Sequence, residues 1–242
     1  MPVLKQLSDP YDRRARLYPV FVVLLPLGLA VGCWIPFELE VLGSLGGLAA
    51  SLGLSAFLTQ LARDSGKSKE PGLFRRWGGK PSILALSYRS GIDSPATLAR
   101  CHAKLEQLDP KLSLPKSVEE EIEDPVATEA AYESANDLLL ARTRDREKFP
   151  LLFEENINYG YRRNLWGMRS AGAITSLIGL ASGAARFTLA LQQTGRWNIE
   201  AGLGVLVCSS LLVLWVLRIT PNWVKVAADA YSRQLIQACE SL

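Results

Sequence analysis

The apolar residues of this chain do not alternate with polar ones. They gather in four long blocks on either side of a charged middle. A soluble domain interleaves the two classes at a period of 3.6 or 2, so this segregation is the constraint from which the rest follows. The blocks run from Leu17 to about Pro36, from Val41 to Ala62, from Ser170 to about Leu191, and from Ala201 to about Ile219. The first two carry no charge, and each block is long enough to cross about 30 Å of hydrocarbon as a helix. Uncharged runs of this length are rare in soluble folds, which sets aside the alternative of a buried soluble bundle.

A cleaved leader is the competing reading of the first block. The long preceding segment with Asp9 and Asp12, the missing small-x-small cleavage site, and the second block beginning almost at once all weigh against it. The short links Pro36–Glu40 and Gln192–Glu200 leave room only for tight turns, so the blocks pair into two transmembrane hairpins.

Orientation follows from the charges beside the blocks. Arg13, Arg14 and Arg16 precede the first. Arg63, Lys67, Lys69, Arg75, Arg76 and Lys80 follow the second. Arg162, Arg163 and Arg169 precede the third, and Arg218, Lys225 and Arg233 close or follow the fourth. The two short turns hold Glu38, Glu40 and Glu200, with Arg196 alone basic. Lysine and arginine stay on the cytoplasmic side, so both termini and the middle are expected inside. The expected fold class is an all-α integral membrane protein. It comprises a cytoplasmic N-terminal segment (1–16), transmembrane hairpin 1 (17–62), a cytoplasmic helical domain (63–169), transmembrane hairpin 2 (170–219) and a cytoplasmic C-terminal helix (220–242).

Small residues mark how the spans meet. Gly43 and Gly47 form one GxxxG spacing, Gly179 and Gly183 another. Glycines let helix backbones approach closely in lipid, either within one protomer or between protomers. Arg186 is the one charge clearly inside a span. It either snorkels to the headgroups or lines an axial path that favours anions.

In the middle segment, Ser65–Lys80 reads as a Gly- and Lys-rich loop, and Ser82–Tyr88 as a strand or helical turn. Ser94-Pro95 starts a helix to about Leu108 with Leu98, Cys101, His102 and Leu105 on one face. Leu114–Asp124 reads as an acidic linker. Asp124-Pro125 starts a helix to about Arg146 that turns Ala130, Ala131, Ala135, Leu138 and Leu139 inward. A last helix covers Leu151–Trp166, with Gly160 and Gly167 as weak points.

No catalytic or metal constellation emerges, and the chain is read as neither an enzyme nor a cofactor protein. Cys33, Cys101, Cys208 and Cys239 lack metal-ligand spacing and read as free thiols, and His102 is the single histidine. Gly78-Gly79-Lys80-Pro81-Ser82 lacks the spacing of a phosphate loop. Glu119–Glu121 with Glu123 and Asp124 reads as a solvated acidic loop rather than a cation site. Two basic-aromatic clusters remain, Phe74–Lys80 and Tyr159–Gly167. They serve either as headgroup anchors or as a nucleotide site, in which Arg75, Arg76, Lys80, Arg162 and Arg163 meet phosphates while Tyr159, Tyr161 and Trp166 offer stacking faces.

The layout of hairpin, cytoplasmic domain of about a hundred residues and second hairpin resembles four-span membrane effectors of bacterial nucleotide-signalling antiphage defence systems. The stretch Asn158–Gly167 looks like a signature of uncharacterised bacterial membrane proteins. The resemblance implies a homo-oligomer, expected to be a tetramer, in the bacterial inner membrane. It implies a pore opened by a nucleotide or oligonucleotide second messenger, with a nucleotidyltransferase encoded nearby. The alternative is a membrane scaffold or sensor that recruits a cytosolic partner through residues 82–156.

Overall fold

The structure, a computed structural model, describes residues 9–34 and 45–242, and of residues 45–56 the backbone alone. Every regular element among the described residues is a helix. The chain forms two compact units, one of residues up to Glu70 with Gly160–Trp223, the other of Pro71–Tyr159 with Val224–Leu242.

Three helices of the first unit are long and apolar enough to cross a membrane. These are α1 (Asp12–Gly32), α8 (Arg169–Thr194) and α9 (Ile199–Arg218). The chain is accordingly a membrane protein by the length and composition of its helices. The start of the second expected span, with Gly43 and the turn residues Glu38 and Glu40, lies outside the described residues. Its remainder forms the first part of α2 (Leu45–Trp77).

Contacts fix how these helices run. Thr175 donates from its hydroxyl to the Val23 carbonyl at 2.8 Å, Ser182 to Ala30 at 3.2 Å, and Arg186 Nε to Cys33 at 3.1 Å. Residue numbers rise together along both helices, so α1 and α8 are parallel. Along α9 they fall instead. A Cβ on Gly179 would stand 2.6 Å from Cys208 Sγ, one on Gly183 would stand 3.1 Å from Val205 Cγ2, and one on Gly172 would enter the Trp215 ring. Gly179 and Gly183 thus pack within one chain, which is the first of the two readings of that spacing. Gly172, Ser176, Gly179 and Gly183 form one buried stripe, spaced three and four apart.

The second unit is a small helical domain. Ser94 caps α4 (Pro95–Leu108) by accepting from the Thr97 N–H, and Asp124 caps α6 (Pro125–Arg142) through the Ala127 N–H. Both starts agree with the sequence expectation. Leu98, Cys101, His102 and Leu105 are buried together. Their core also takes Leu86, Tyr132, Ala135, Leu139, Phe149 and Leu152, and it is closed by Leu235, Ile236 and Cys239. The last three belong to the C-terminal helix α10 (Pro221–Ala238) and its final turn, so this segment, expected to stand apart, closes the core of the second unit.

Several local expectations need correcting. Ser65–Lys80 is not a loop, because α2 runs unbroken through Gly66, Pro71 and Gly72 to Trp77. Gly66 is a place of close approach to Asn164 rather than a breaker. The true stop comes later. Gly78 has φ +86°, and the Gly79 N–H reaches back to the Phe74 carbonyl at 2.9 Å. That six-to-one closure explains the glycine pair. Pro81–Leu84 is a helical turn, α3. The acidic linker contains α5 (Val118–Glu123). In α6, Ala130 is exposed while Tyr132 and Asn136 are buried, and the helix ends at Arg142. Helix α7 (Pro150–Gly167) crosses Gly160 without a break.

Candidate functional site

The stretch Asn158–Gly167 lies on α7, where almost every residue has a structural task. Tyr159 belongs to the second unit, where its ring stacks on Tyr231 at 6.4 Å between centroids. From Gly160 onward the chain belongs to the first unit. A Cβ on Gly160 would meet the Tyr11 hydroxyl at 2.8 Å, and one on Gly167 would lie 2.5 Å from the Gly66 nitrogen. These glycines are contact points of α1 and α2, not weak points.

Asn164 is fully buried, so its amide must find partners inside. Its Nδ2 donates to the Ala15 carbonyl at 2.7 Å, and its Oδ1 accepts from Arg163 Nε and Nη2 at 3.2 Å each. Arg163 in turn places Nη1 2.9 Å from Glu70 Oε1. The result ties α1, α2 and α7 together through one polar network. Leu165 and Met168 share an apolar cluster with Val20, Val23, Ala62, Trp215 and Ile219, and Tyr161 packs against its edge.

Cations also gather where α9 gives way to α10. The Arg169 guanidinium donates to the carbonyls of Trp215 and Val216 at 2.9 and 2.8 Å, and it lies 5.3 Å from the Trp166 ring centre. The last turn of α9, Leu214–Arg218, is wound as a π-helix. Arg169 thus supplies positive charge where a helix end exposes carbonyls. The chain turns at Ile219. Thr220 then accepts from the Trp223 N–H at 3.2 Å and caps α10. Arg218 lies 5.5 Å and Arg162 5.0 Å from the Trp223 ring centre, with Arg162 Nη1 also 3.0 Å from the Trp223 carbonyl. Neither Arg169 nor Arg218 has a carboxylate partner among the described residues. This basic elbow was missed at the sequence level, although an apolar span ending in Arg218 with Pro221 and Trp223 close behind is a usable signal.

The eight ligand candidates named from sequence are divided by the structure. Tyr161, Arg162, Arg163 and Trp166 belong to the first unit, and Arg75, Arg76, Lys80 and Tyr159 to the second. Arg75 and Arg76 are exposed at the end of α2, and no partner is recorded for either side chain among the described residues. Arg163 is the opposite case, buried and paired. Arg186 donates to the Cys33 carbonyl at the end of α1 and lies 5.9 Å from the Trp34 ring centre, while Trp34 Nε1 donates to Ser182. Its guanidinium thus meets the carbonyl end of α1 beside an aromatic ring.

A second polar centre was read wrongly from sequence. Glu121 belongs to no solvated loop, because it is 0% exposed. Its carboxylate accepts from the Tyr132 hydroxyl at 2.7 Å, the Ser87 hydroxyl at 2.8 Å, the Tyr88 N–H at 2.6 Å and Arg89 Nε at 3.1 Å. Burial pushes its pKa up, but the bonds from Tyr132, Ser87, Tyr88 and Arg89 outweigh it and hold the carboxyl below its ordinary value. Burial and the same carboxylate raise Tyr132. Next to it, the two His102 ring nitrogens lie 3.0 Å from the Pro115 carbonyl and 2.9 Å from the Leu86 carbonyl. These groups fix the loops around α4 and α5. All four cysteines are unpaired, and no group of three or more metal-ligating side chains occurs among the described residues. Compared with known protein families, curated proteins and solved structures, the chain matches none of them.

Proposed function

We propose that the chain is a four-span membrane protein that works as a homo-oligomeric, ligand-gated pore. Its ligand is a nucleotide or oligonucleotide messenger and its setting is the bacterial inner membrane, with both termini cytoplasmic. The parallel run of α1 and α8 supports the fourth span. Two helices that cross in the same direction need an odd number of passes between them, and α2 begins with the one remaining uncharged run. The observation that carries the gating idea is the continuity of α2. A single helix starts in that run and ends in Arg75-Arg76, so an anion held there acts on the end of a membrane helix.

A pore within one copy has little room. The stripe Gly172–Gly183 and the Trp215 ring fill the contact between α8 and α9, which favours a water path between copies. An oligomer of four satisfies that need. The alternative, a scaffold that recruits a cytosolic protein through residues 82–156, leaves the membrane sealed.

The two are separated by reconstitution. Purified protein in liposomes should pass ions when nucleotide messengers are added, and native mass spectrometry should give a closed oligomer. A strict monomer, or liposomes that stay tight with every messenger while a cytosolic partner binds, would turn the reading toward the scaffold. Topology is checked separately. Cysteine placed at Trp197 should react from outside the cell and cysteine at Glu120 should not.

A further inference from the structure

The elbow between α9 and α10 has a chemistry that its structural tasks do not exhaust. Arg169 spends two donors on the carbonyls of Trp215 and Val216. Arg218, exposed in the last turn of α9, lies over the Trp223 ring. Arg162 sits by the same ring. Three guanidinium groups, those of Arg162, Arg169 and Arg218, thus lie around this elbow, and no carboxylate pairs with Arg169 or Arg218 among the described residues. The start of α10 adds little there, since Pro221 has no N–H and the Trp223 N–H is taken by Thr220, so the guanidinium groups themselves supply the donors. Trp166 and Trp223 stand on the flanks, as indole rings do at the headgroup level.

Arg169 and Arg218 carry like charge at one helix end with no carboxylate beside them among the described residues, and an anion between them relieves their repulsion. A phosphate fits best. Its oxygens match the paired N–H donors of arginine, and an anionic phospholipid offers it at this depth without the choline cation that neutralises it in a zwitterionic lipid.

We infer that the α9–α10 elbow is a phosphate site built by Arg162, Arg169 and Arg218. The phosphate comes either from an anionic lipid of the surrounding leaflet or from a soluble phosphate ester. The inference rests on the chain being a membrane protein and not on its being a pore.

The test uses the full chain in a zwitterionic detergent. Phosphatidylglycerol mixed with phosphatidylcholine is one probe, and ATP without anionic lipid is the other. Native mass spectrometry counts retained lipid, and fluorescence of the tryptophans follows ATP. Selective retention of phosphatidylglycerol identifies the lipid source, and saturable ATP binding identifies the soluble one. In either case Arg218→Gln should weaken the binding about tenfold or more, as loss of one charge-assisted contact predicts, and Arg218→Lys should restore part of it. Wild-type protein that retains both lipids equally and ignores ATP overturns the proposal. So does Arg218→Gln binding as tightly as wild type. The wild-type comparison stands even if a variant is poorly inserted. Failure of ion flux would strike only the pore.

Discussion

Arg163 and Glu70 form an ion pair of 2.9 Å in which the guanidinium side chain is 8% exposed and the carboxylate side chain 21%. The pair links α7 to α2, and the neighbouring Asn164 extends the link to Ala15 of α1. A motif of basic and aromatic residues that looked like a ligand surface is therefore, at this position, internal framework. Arg162 and Arg163 are adjacent in sequence, but one reaches Trp223 while the other is enclosed, because successive helix positions point about 100° apart.

Glu70→Gln should lower stability by about 1–3 kcal/mol, less than a fully enclosed pair because the carboxylate is partly solvated. Thermal unfolding in one mild detergent measures it. The double variant Glu70→Leu with Arg163→Met should be less destabilised than the sum of its two single variants, since removing both charges leaves neither stranded, while Asn164 Oδ1 loses the Arg163 donors in the single Arg163→Met and in the double alike. A double variant as unstable as the sum of the singles would show that the pair is not coupled.

Gly172→Ala should reduce stability through overpacking, by about 1–3 kcal/mol, since the added methyl enters the Trp215 ring. Trp215→Leu made together with Gly172→Ala should be better tolerated than Gly172→Ala alone. Gly28→Ala, with open space around the added carbon, is the control and should leave the melting temperature unchanged.

Much of this was readable in advance, and the failures have a common cause. The caps at Ser94 and Asp124 and the membrane helices α1, α8 and α9 follow from local chemistry and from long apolar runs. The extension of α2 through Pro71 was not readable, because local breakers are overridden when Gly66 packs against Asn164 and Gly167 and the chain finds its stop at Gly78. Glu121 was lost among its acidic neighbours. Only the fold brings Ser87, Tyr88 and Tyr132 around it, and no spacing in the sequence announces donors 11 to 34 residues away. The basic elbow escaped for the same reason, since Arg162 and Trp223 are 61 residues apart.

Acid should unfold the second unit through Glu121. Its pKa lies below the unfolded value, so its contribution is fully present above about pH 5. That contribution is lost as pH falls through the lowered folded pKa. Glu121→Gln should cost about 2–4 kcal/mol near neutrality, from weakened bonds to four donors, and should flatten the acid limb of the stability curve. Circular dichroism of the full chain from pH 7 to pH 3 gives both slopes. An acid limb as steep in Glu121→Gln as in wild type would assign acid unfolding to other carboxylates.

A gating ligand and the framework call on different arginines. Arg75 and Arg76 stand exposed at the end of α2, whereas Arg163 is enclosed by Glu70 and Asn164. If a phosphate-bearing messenger is read by Arg75 and Arg76, Arg75→Ala with Arg76→Ala should leave melting temperature and membrane yield near wild type. The messenger needed for ion flux should then rise by roughly two decades or more, as loss of two charge-assisted contacts implies. Arg163→Ala should do the reverse, with a lower melting temperature and yield but an unshifted messenger response in whatever protein survives. Flux in liposomes and thermal unfolding, measured on the same preparations, check both. An unchanged messenger response in the Arg75 and Arg76 variant at normal yield would remove the end of α2 from the ligand site and leave those arginines as membrane anchors.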